Sequence, residues 1–449
     1  MRENVERLLA HMPSRTGFDV SALDLRETQI AALNERFQSA VDRIKLLRLR
    51  ADEAGITEIR SLEDVVPLLL PHTAYKSYPE SFLADKRWDR LTRWLGTVSA
   101  YPTDTVDLSE VADMDDWVNA CGDAGHFVSC SSGTTGKPAV LNASRADLDF
   151  AAREGVEAVQ WGSAIRAGDK RTVASFGATA HSPRNTATGT ALIGAFADFA
   201  KLSPPSDAAP ITVGSISRMI ALRKAVADGS ALPEEIAEYE RESAQRQAAQ
   251  DGALGRAADD ILARRGDRLM IMAMWGPLYQ LAAEVRSRGF SGKDFNPENG
   301  VFLGGGLKRA RVPADYKEFI YETFNLSPAY TYQMYGMQEI QTSMPRCQAG
   351  GRYHVPAWLV CLPLDKEGST LLPLDQGEVQ GRAAFFDLSM DGRWGGVISG
   401  DQIEVDFSPC ACGAASPSIR DSIVRYADLE GDDKIGCAGT VDAYVRGLT

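Results

Sequence analysis

Through the first 65 or so residues the apolar positions recur at helical spacing. In "VERLLAHM" and "IAALNERFQSAVDRIKLLRLRADEAGI" they fall every three or four residues, and Gly55 is placed to stop the second run. From about 66 to 125 the pattern is mixed, with loop signals in "LLPHTAYKSYPES" and "SAYPTDTVD". "HFVSC" predicts a short strand that runs directly into "SSGTTGKP". Helix and strand then alternate. "RADLDFAAREGVEAVQWGSA" predicts a helix, and "KRTVASFG" a strand leading into a turn rich in Gly, Ser, Thr and Asn. "ISRMIALRKAVADG" opens a long helical region that continues through "LPEEIAEYERESAQRQAAQDGALGRAADDILARRG". No apolar heptad persists there, so these read as surface helices laid on a core. "RLMIMAMW" predicts a buried strand, "GPLYQLAAEVRSRG" a helix, and "GVFLGGG" a strand and turn. "ADYKEFIYETFN" predicts a helix and "AYTYQMYG" a strand. Past about 345 only short strands and turns follow, including "HVPAWLVCLPLD", "GEVQGRAAFF" and "WGGVISGDQIEVD". This order predicts an α/β body of several layers carrying a small β subdomain, without internal repeats.

Composition narrows the class. The 449 residues are 44% hydrophobic, ample for a large core or for two or three domains. The longest apolar stretches, such as "LMIMAMW" from Leu269, fall far short of the ~20 residues of a membrane span. The N-terminus has no apolar signal-peptide run. A net charge of -13 argues against a general nucleic-acid or membrane-surface binder, while leaving room for a local basic pocket. Seven widely spaced cysteines and no export signal fit a reducing cytoplasm, with thiols or a metal site rather than a disulfide scaffold.

The polar loop "VSCSSGTTGKPAVL", 128–141, has the ingredients of an anion site. The usual ATP-binding spacing fails twice: with its Gly-Lys on Gly136-Lys137, the first glycine falls on Ser131 and the magnesium-binding hydroxyl on Pro138. Yet Gly133 and Gly136 let the backbone turn and present N–H groups. Ser131, Ser132, Thr134 and Thr135 add hydroxyls, and Lys137 a cation. Taken alone, the string is either a polar surface loop or a phosphate cradle.

"SSGTTGKP" resembles the phosphate loop of the adenylate-forming superfamily, which includes acyl-CoA synthetases, peptide-synthetase adenylation domains and luciferases. Further segments of that resemblance follow in order. "YQMYGMQE", 332–339, is similar to the aromatic-Gly-x-x-Glu segment. The resemblance makes Glu339 a Mg²⁺ ligand and Tyr335 the ring stacked on adenine, with Gly336 and Gln338 beside them. Gln338 stands where the superfamily often has Thr or Ser. "LGGGLKRARVP", 303–313, lies where a glycine turn passes the adenine, implying close backbone approach at Gly304, Gly305 and Gly306. "ISGDQIEVD" resembles the Thr/Ser-Gly-Asp segment, implying that Asp401 accepts from both ribose hydroxyls. "SIVRYADLEGDDKI" resembles the Arg-x-x-Asp hinge, implying that Arg425 meets ribose or phosphate and that Asp428 sits at the hinge. The implied fold is a large adenylate-forming core of two α/β subdomains plus a small β-barrel-like subdomain.

Cys410-x-Cys412, with Cys347 and His354 upstream, offers three thiols and one imidazole, a closed tetrahedral Zn²⁺ set or a group of unligated thiols. "CACGAASPSIRDSIVRYAD" resembles a run in phenylacetate-CoA ligase-like proteins, some of which hold such a zinc. Cys121, Cys130, Cys361 and Cys437 read as buried bystanders. The resemblance divides the chain into an N-terminal helical region 1–75, an α/β adenylation core 76–345, a β subdomain with the zinc site 346–427, and a hinge with a short stub 428–449. It also leads one to expect a further lid domain carrying a catalytic lysine, which this sequence does not include.

The implied activity is ATP-dependent conversion of a carboxylic acid to acyl-AMP, with release of pyrophosphate and transfer to CoA, a carrier protein, an acyl-accepting partner enzyme or an amine. The cofactors are ATP, Mg²⁺ and a structural Zn²⁺, in a cytoplasmic enzyme that could form a homodimer. "SFGATAHSPRN", 175–185, and "MAMWGP", 272–277, are expected to line the acid pocket. His181 either gates the acid or is a hydrogen-bonded structural histidine. Phe176 and Trp275 lean toward a small aryl acid. The acyl-protein synthetase resemblance of the Gly-Gly-Gly-x-Lys308 turn leans toward a fatty acyl group. A nucleotide- or acyl-adenylate-binding protein with little turnover is the alternative outside the enzymes.

Overall fold

The computed structural model describes residues 2–14, 16–131, 137–176, 182–201, 212–307, 310–374, 377–430 and 435. Its centre is a five-stranded sheet. Strands Thr172–Ser175, Leu269–Ala273, Asn299–Leu303 and Leu326–Tyr335 lie side by side and parallel, and Met344–Pro345 closes the edge antiparallel. Side chains alternate across a strand, so its two faces need two covers. Leu269 and Ile271 pack under the helices Trp275–Ser287 and Tyr316–Phe324. Met270, between them, points to the other face, with Val159 and Phe196 of the helices Arg145–Gly162 and Pro183–Phe196. This is why "RLMIMAMW" is apolar throughout rather than alternating.

The second sheet has seven strands. Leu359–Cys361, Glu378–Asp387, Gly396–Asp406, Ser418–Ile419 and Tyr353–His354 follow in that order. Gly396–Asp406 also takes Leu70–Pro71 in parallel and Val424–Arg425 antiparallel. The hairpin Phe127–Ser131 and Ala139–Ala143 forms a separate two-stranded sheet that opens and closes the polar loop. The α/β body with a β unit is therefore as expected.

The N-terminal helices share the main core. Leu33, Phe37 and Leu47 belong to one buried cluster with Trp94, Trp117, Val140, Trp358, Phe386 and Trp394. Buried polar groups join the same seam: Gln29 Nε2 donates to the Ala357 carbonyl at 3.0 Å and Arg36 Nε to that of Leu388 at 2.8 Å. Gly55 ends the helix Lys45–Ala54 in the left-handed conformation at φ 66°, as its position suggested.

Three elements differ from expectation. The mixed stretch 66–125 holds the helices Trp88–Val98 and Met114–Asp123, the latter started by a capping box between Asp113 and Asp116. The Gly/Ser/Thr/Asn-rich turn after "KRTVASFG" gives way to the helix Pro183–Phe196. Ser182 caps it by accepting from Asn185 N, Pro183 fits its first turn, and its small residues let a neighbour approach. A Cβ at Gly155 would lie 2.9 Å from Thr188 Cγ2, so packing outweighs weak helix propensity. Finally, "AVLNA" is a fully buried strand, Ala139–Ala143. Among the described residues, no helix is long and apolar enough to cross a membrane.

Candidate functional site

The parallel strands end on one edge, and ligands of such sheets bind outside the carboxyl ends of the strands. Phe176, Met274, Gly304 and Gly336 immediately follow the four parallel strands there. Ser132, Gly133, Thr134, Thr135, Gly136 and His181 lie outside the described residues. The ends of the polar loop are described. Ser131 pairs with Ala139 across the hairpin, so the loop leaves and returns at one rung. Lys137 Nζ donates to the Tyr78 carbonyl at 2.5 Å and lies 5.2 Å from that ring's centroid. Tyr78 in turn donates its hydroxyl to the Pro138 carbonyl at 2.7 Å.

The turn carrying Glu339 is gripped through its backbone. Arg393 donates to the carbonyls of Gln338 at 3.1 Å and Glu339 at 2.9 Å. Arg184 donates to Met337 at 3.2 Å, Ile340 at 2.5 Å and Gln341 at 3.0 Å. Asp387 Oδ2 accepts from Gln341 N and Thr342 N at 3.0 and 2.9 Å. Burial, then Arg393, lowers the pKa of the Arg184 guanidinium, against Glu154, Asp387 and Glu339. With its backbone held this way, the half-buried Glu339 forms no hydrogen bond through its carboxylate to a described residue. That suits Mg²⁺, which usually binds one or two protein carboxylates together with phosphate oxygens and water. Gln338 Oε1 is a buried acceptor with no donor among the described residues.

Asp401 and Arg425 face each other across adjacent strands, Nε 3.6 Å from Oδ1. Asp401 is 14% exposed and Arg425 68%, so the pair grades from the protein interior to solvent. Tyr335 donates its hydroxyl to Asp401 Oδ2 at 2.9 Å. Tyr335 is only 9% exposed and its ring centroid lies 6.1 Å from that of Tyr353 and 6.2 Å from that of Phe385, so it offers little open face to a base. Gly304 N donates to the Ala273 carbonyl at 3.3 Å, and Gly305 has φ 109°, a conformation that strains any other residue. A Cβ at Gly306 would meet nothing within 4 Å.

Of the pocket candidates, Phe176 N donates to the Met272 carbonyl at 3.0 Å, which holds it at the strand ends. Trp275 is instead buried against Tyr316, centroids 5.3 Å apart.

Two basic residues here had no motif to announce them: Arg184 and Arg393.

The four candidate zinc ligands converge. One donor atom each from Cys347, His354, Cys410 and Cys412 lies within 4.8 Å of all the others. Cys347 Sγ is 3.8 Å from Cys410 Sγ, and Cys412 Sγ is 3.4 Å from His354 Nε2. Zinc bonds of about 2.3 Å to sulfur and 2.0–2.1 Å to nitrogen give tetrahedral edges of roughly 3.8 and 3.6 Å, so the donors fit. Ser416 Oγ, 3.1 Å from His354 Nδ1, fixes the ring's other nitrogen. Burial opposes a thiolate at Cys347, but the hydrogen bond and charge of His354 and the backbone N–H groups of Arg352 and Gly350 together draw the pKa down to about 6. Burial, with Cys347 nearby, pushes Cys412 up to about 12. Cys121, Cys130 and Cys361 are buried, and burial pushes each thiol up to about 12.

No known protein family matches the sequence, and no curated protein does either. Solved structures do. A 2-hydroxyisobutyryl-CoA ligase complex with 2-HIB-AMP and CoA in the thioesterification state matches with a TM-score of 0.55 at 16% identity, over 92% of this chain and 70% of that one. Its open conformation matches at 0.55 and 15% identity, over 94% and 75%. Its postadenylation state with R3-HIB-AMP matches at 0.55 and 15%, over 96% and 74%. At such identities the likeness establishes architecture: the chain has the fold of an adenylate-forming CoA ligase.

Proposed function

We propose that this protein uses ATP to activate a carboxylic acid as acyl-AMP, releasing pyrophosphate, and then passes the acyl group to a thiol, CoA first among the candidates. The observation that supports this reading best is the Asp401–Arg425 pair, with Oδ1 and Nε 3.6 Å apart, in a fold of this type; Lys137 at the loop exit and Glu339 on its braced turn are assigned with it.

The chemistry follows from the charges. A carboxylate oxygen attacks the α-phosphorus, the bond to the bridging oxygen breaks, and its electron pair leaves with pyrophosphate. Both reactants are anions, so positioning and charge neutralisation supply the catalysis. Lys137 and the amides of 131–136 neutralise the phosphates. Asp401 accepts from the ribose hydroxyls, and Arg425 guards the solvent side. Glu339 would hold Mg²⁺, which when bound neutralises phosphate charge. In the second step a thiolate attacks the acyl carbon and AMP departs.

For the acid we keep a small aryl group, resting on Phe176; Trp275, buried against Tyr316, lends that choice nothing. We assign a structural zinc to Cys347, His354, Cys410 and Cys412, with every position filled by protein and none open for chemistry.

The test is hydroxamate trapping, with thioester detection on adding CoA, across aryl, short hydroxy and fatty acids. Acid-dependent hydroxamate with AMP supports adenylation, and the best acid names the class. ATP bound without hydroxamate from any acid would favour a binding protein, and ADP as product would exclude the scheme.

A further inference from the structure

A turn between two short strands joins the cysteine–histidine cluster to the Asp401–Arg425 pair. Before the turn, Ser418–Ile419 pairs with Tyr353–His354, which carries one ligand of the cluster. After it, Val424–Arg425 pairs with the strand of Asp401. Each of the two strands is only two residues long, so ladder hydrogen bonds alone fix the turn weakly and side chains must add to them. Asp421, in that turn, is held by the residues next to two of the ligands. Tyr353, before His354, donates its hydroxyl to Asp421 Oδ1 at 2.8 Å. Arg346, before Cys347, sets Nε 3.4 Å from Asp421 Oδ2. Arg346 and Tyr353 also face each other in a β-bridge, so the two ligand segments meet Asp421 together. From the other side, Glu404 accepts from Arg420 N at 2.9 Å through its carbonyl and from Ser422 Oγ at 3.2 Å through its carboxylate. Tyr353 reaches the proposed ribose site a second way, since its ring centroid lies 6.1 Å from that of Tyr335, which donates to Asp401 at 2.9 Å. A closed circuit therefore runs from the ligands to Asp421, along the chain to Arg425, across to Asp401, and back through Tyr335 and Tyr353.

We propose that Asp421 is a positioning residue that couples the metal cluster to the ribose site: with the four ligands held together, Arg346 and Tyr353 fix Asp421, and Asp421 sets Arg425 opposite Asp401. This rests on reading the cluster as a zinc site and Asp401 as the ribose acceptor. Two binding measurements on the zinc-loaded protein test it. One is zinc affinity against a competing chelator, with and without AMP. The other is calorimetric titration with AMP and with its dideoxy analogue, which lacks both ribose hydroxyls. In wild type, saturating AMP should raise zinc affinity about threefold or more, because coupling between two sites is reciprocal. In Asp421→Asn that rise should vanish. The preference for AMP over the dideoxy analogue should fall about threefold or more, with zinc content and dideoxy affinity as in wild type. Tyr353→Phe, which keeps the ring and removes the hydroxyl, should act in the same direction. Zinc affinity indifferent to AMP in wild type, or an undiminished ribose preference in Asp421→Asn, would overturn the assignment. A wild type that binds no AMP would instead overturn the proposed function, and one that holds no zinc the metal assignment, and this inference falls with either.

Discussion

Arg393 reaches back 54 residues to donate a 2.9 Å hydrogen bond to the backbone oxygen of Glu339. The same guanidinium also donates to the Asn142 carbonyl, on the strand that leaves the polar loop. One buried side chain thus ties the turn of the proposed magnesium ligand to the phosphate hairpin.

Removing it should cost both stability and turnover. Arg393→Ala leaves the carbonyls of Asn142, Gln338 and Glu339 without their donor. We expect a loss of about 2–4 kcal/mol in urea unfolding. Arg393→Lys should repair little, because a point charge cannot span the same fork. A variant within about 0.5 kcal/mol of wild type would show that the guanidinium does not brace the turn.

Glu154 gives the account a pH signature. It is buried and accepts from Ser343 N at 3.1 Å and Ser343 Oγ at 2.7 Å. Burial pushes its pKa from 4.5 to about 8, despite those hydrogen bonds and nearby Arg184. The folded state therefore holds a proton that the unfolded chain has released. The stability tied to that proton is full below 4.5 and is lost as pH rises through about 8. Glu154→Gln should flatten this decline, by at most about 1.4 kcal/mol per pH unit. Parallel stability–pH curves for variant and wild type between pH 5 and 8 would contradict it.

The cysteine–histidine cluster predicts about one zinc per chain in the purified protein. Gly350 is the sensitive neighbour, since a Cβ there would run into Cys410 Sγ. Gly350→Ala should lower the zinc content by elemental analysis and the unfolding temperature together. Full zinc occupancy in that variant, or none in wild type, would count against the site.

Legibility varied with the kind of signal. Strands buried on both faces, such as Leu269–Ala273, were readable because their apolar runs stand out. Asp401 and Arg425 stand in short local segments, and the fold brings them opposite one another. The zinc ligands were legible as residue types, and only long-range pairing between Tyr353–His354 and Ser418–Ile419 brings their segments together. The helix Pro183–Phe196 was hidden, because its small polar residues look like a turn until they meet the helix Arg145–Gly162. Arg184 and Arg393 were hidden for another reason. Their contacts depend on backbone carbonyls far away in sequence, which no local spacing records.

The most direct test is acid-dependent exchange of labelled pyrophosphate into ATP, with wild type and Glu339→Gln compared at saturating magnesium. The account predicts exchange that needs a carboxylic acid and falls at least about a hundredfold in the variant, whose unfolding temperature stays unchanged. Equal exchange by the two proteins, or none from wild type with any acid while ATP still binds, would contradict it.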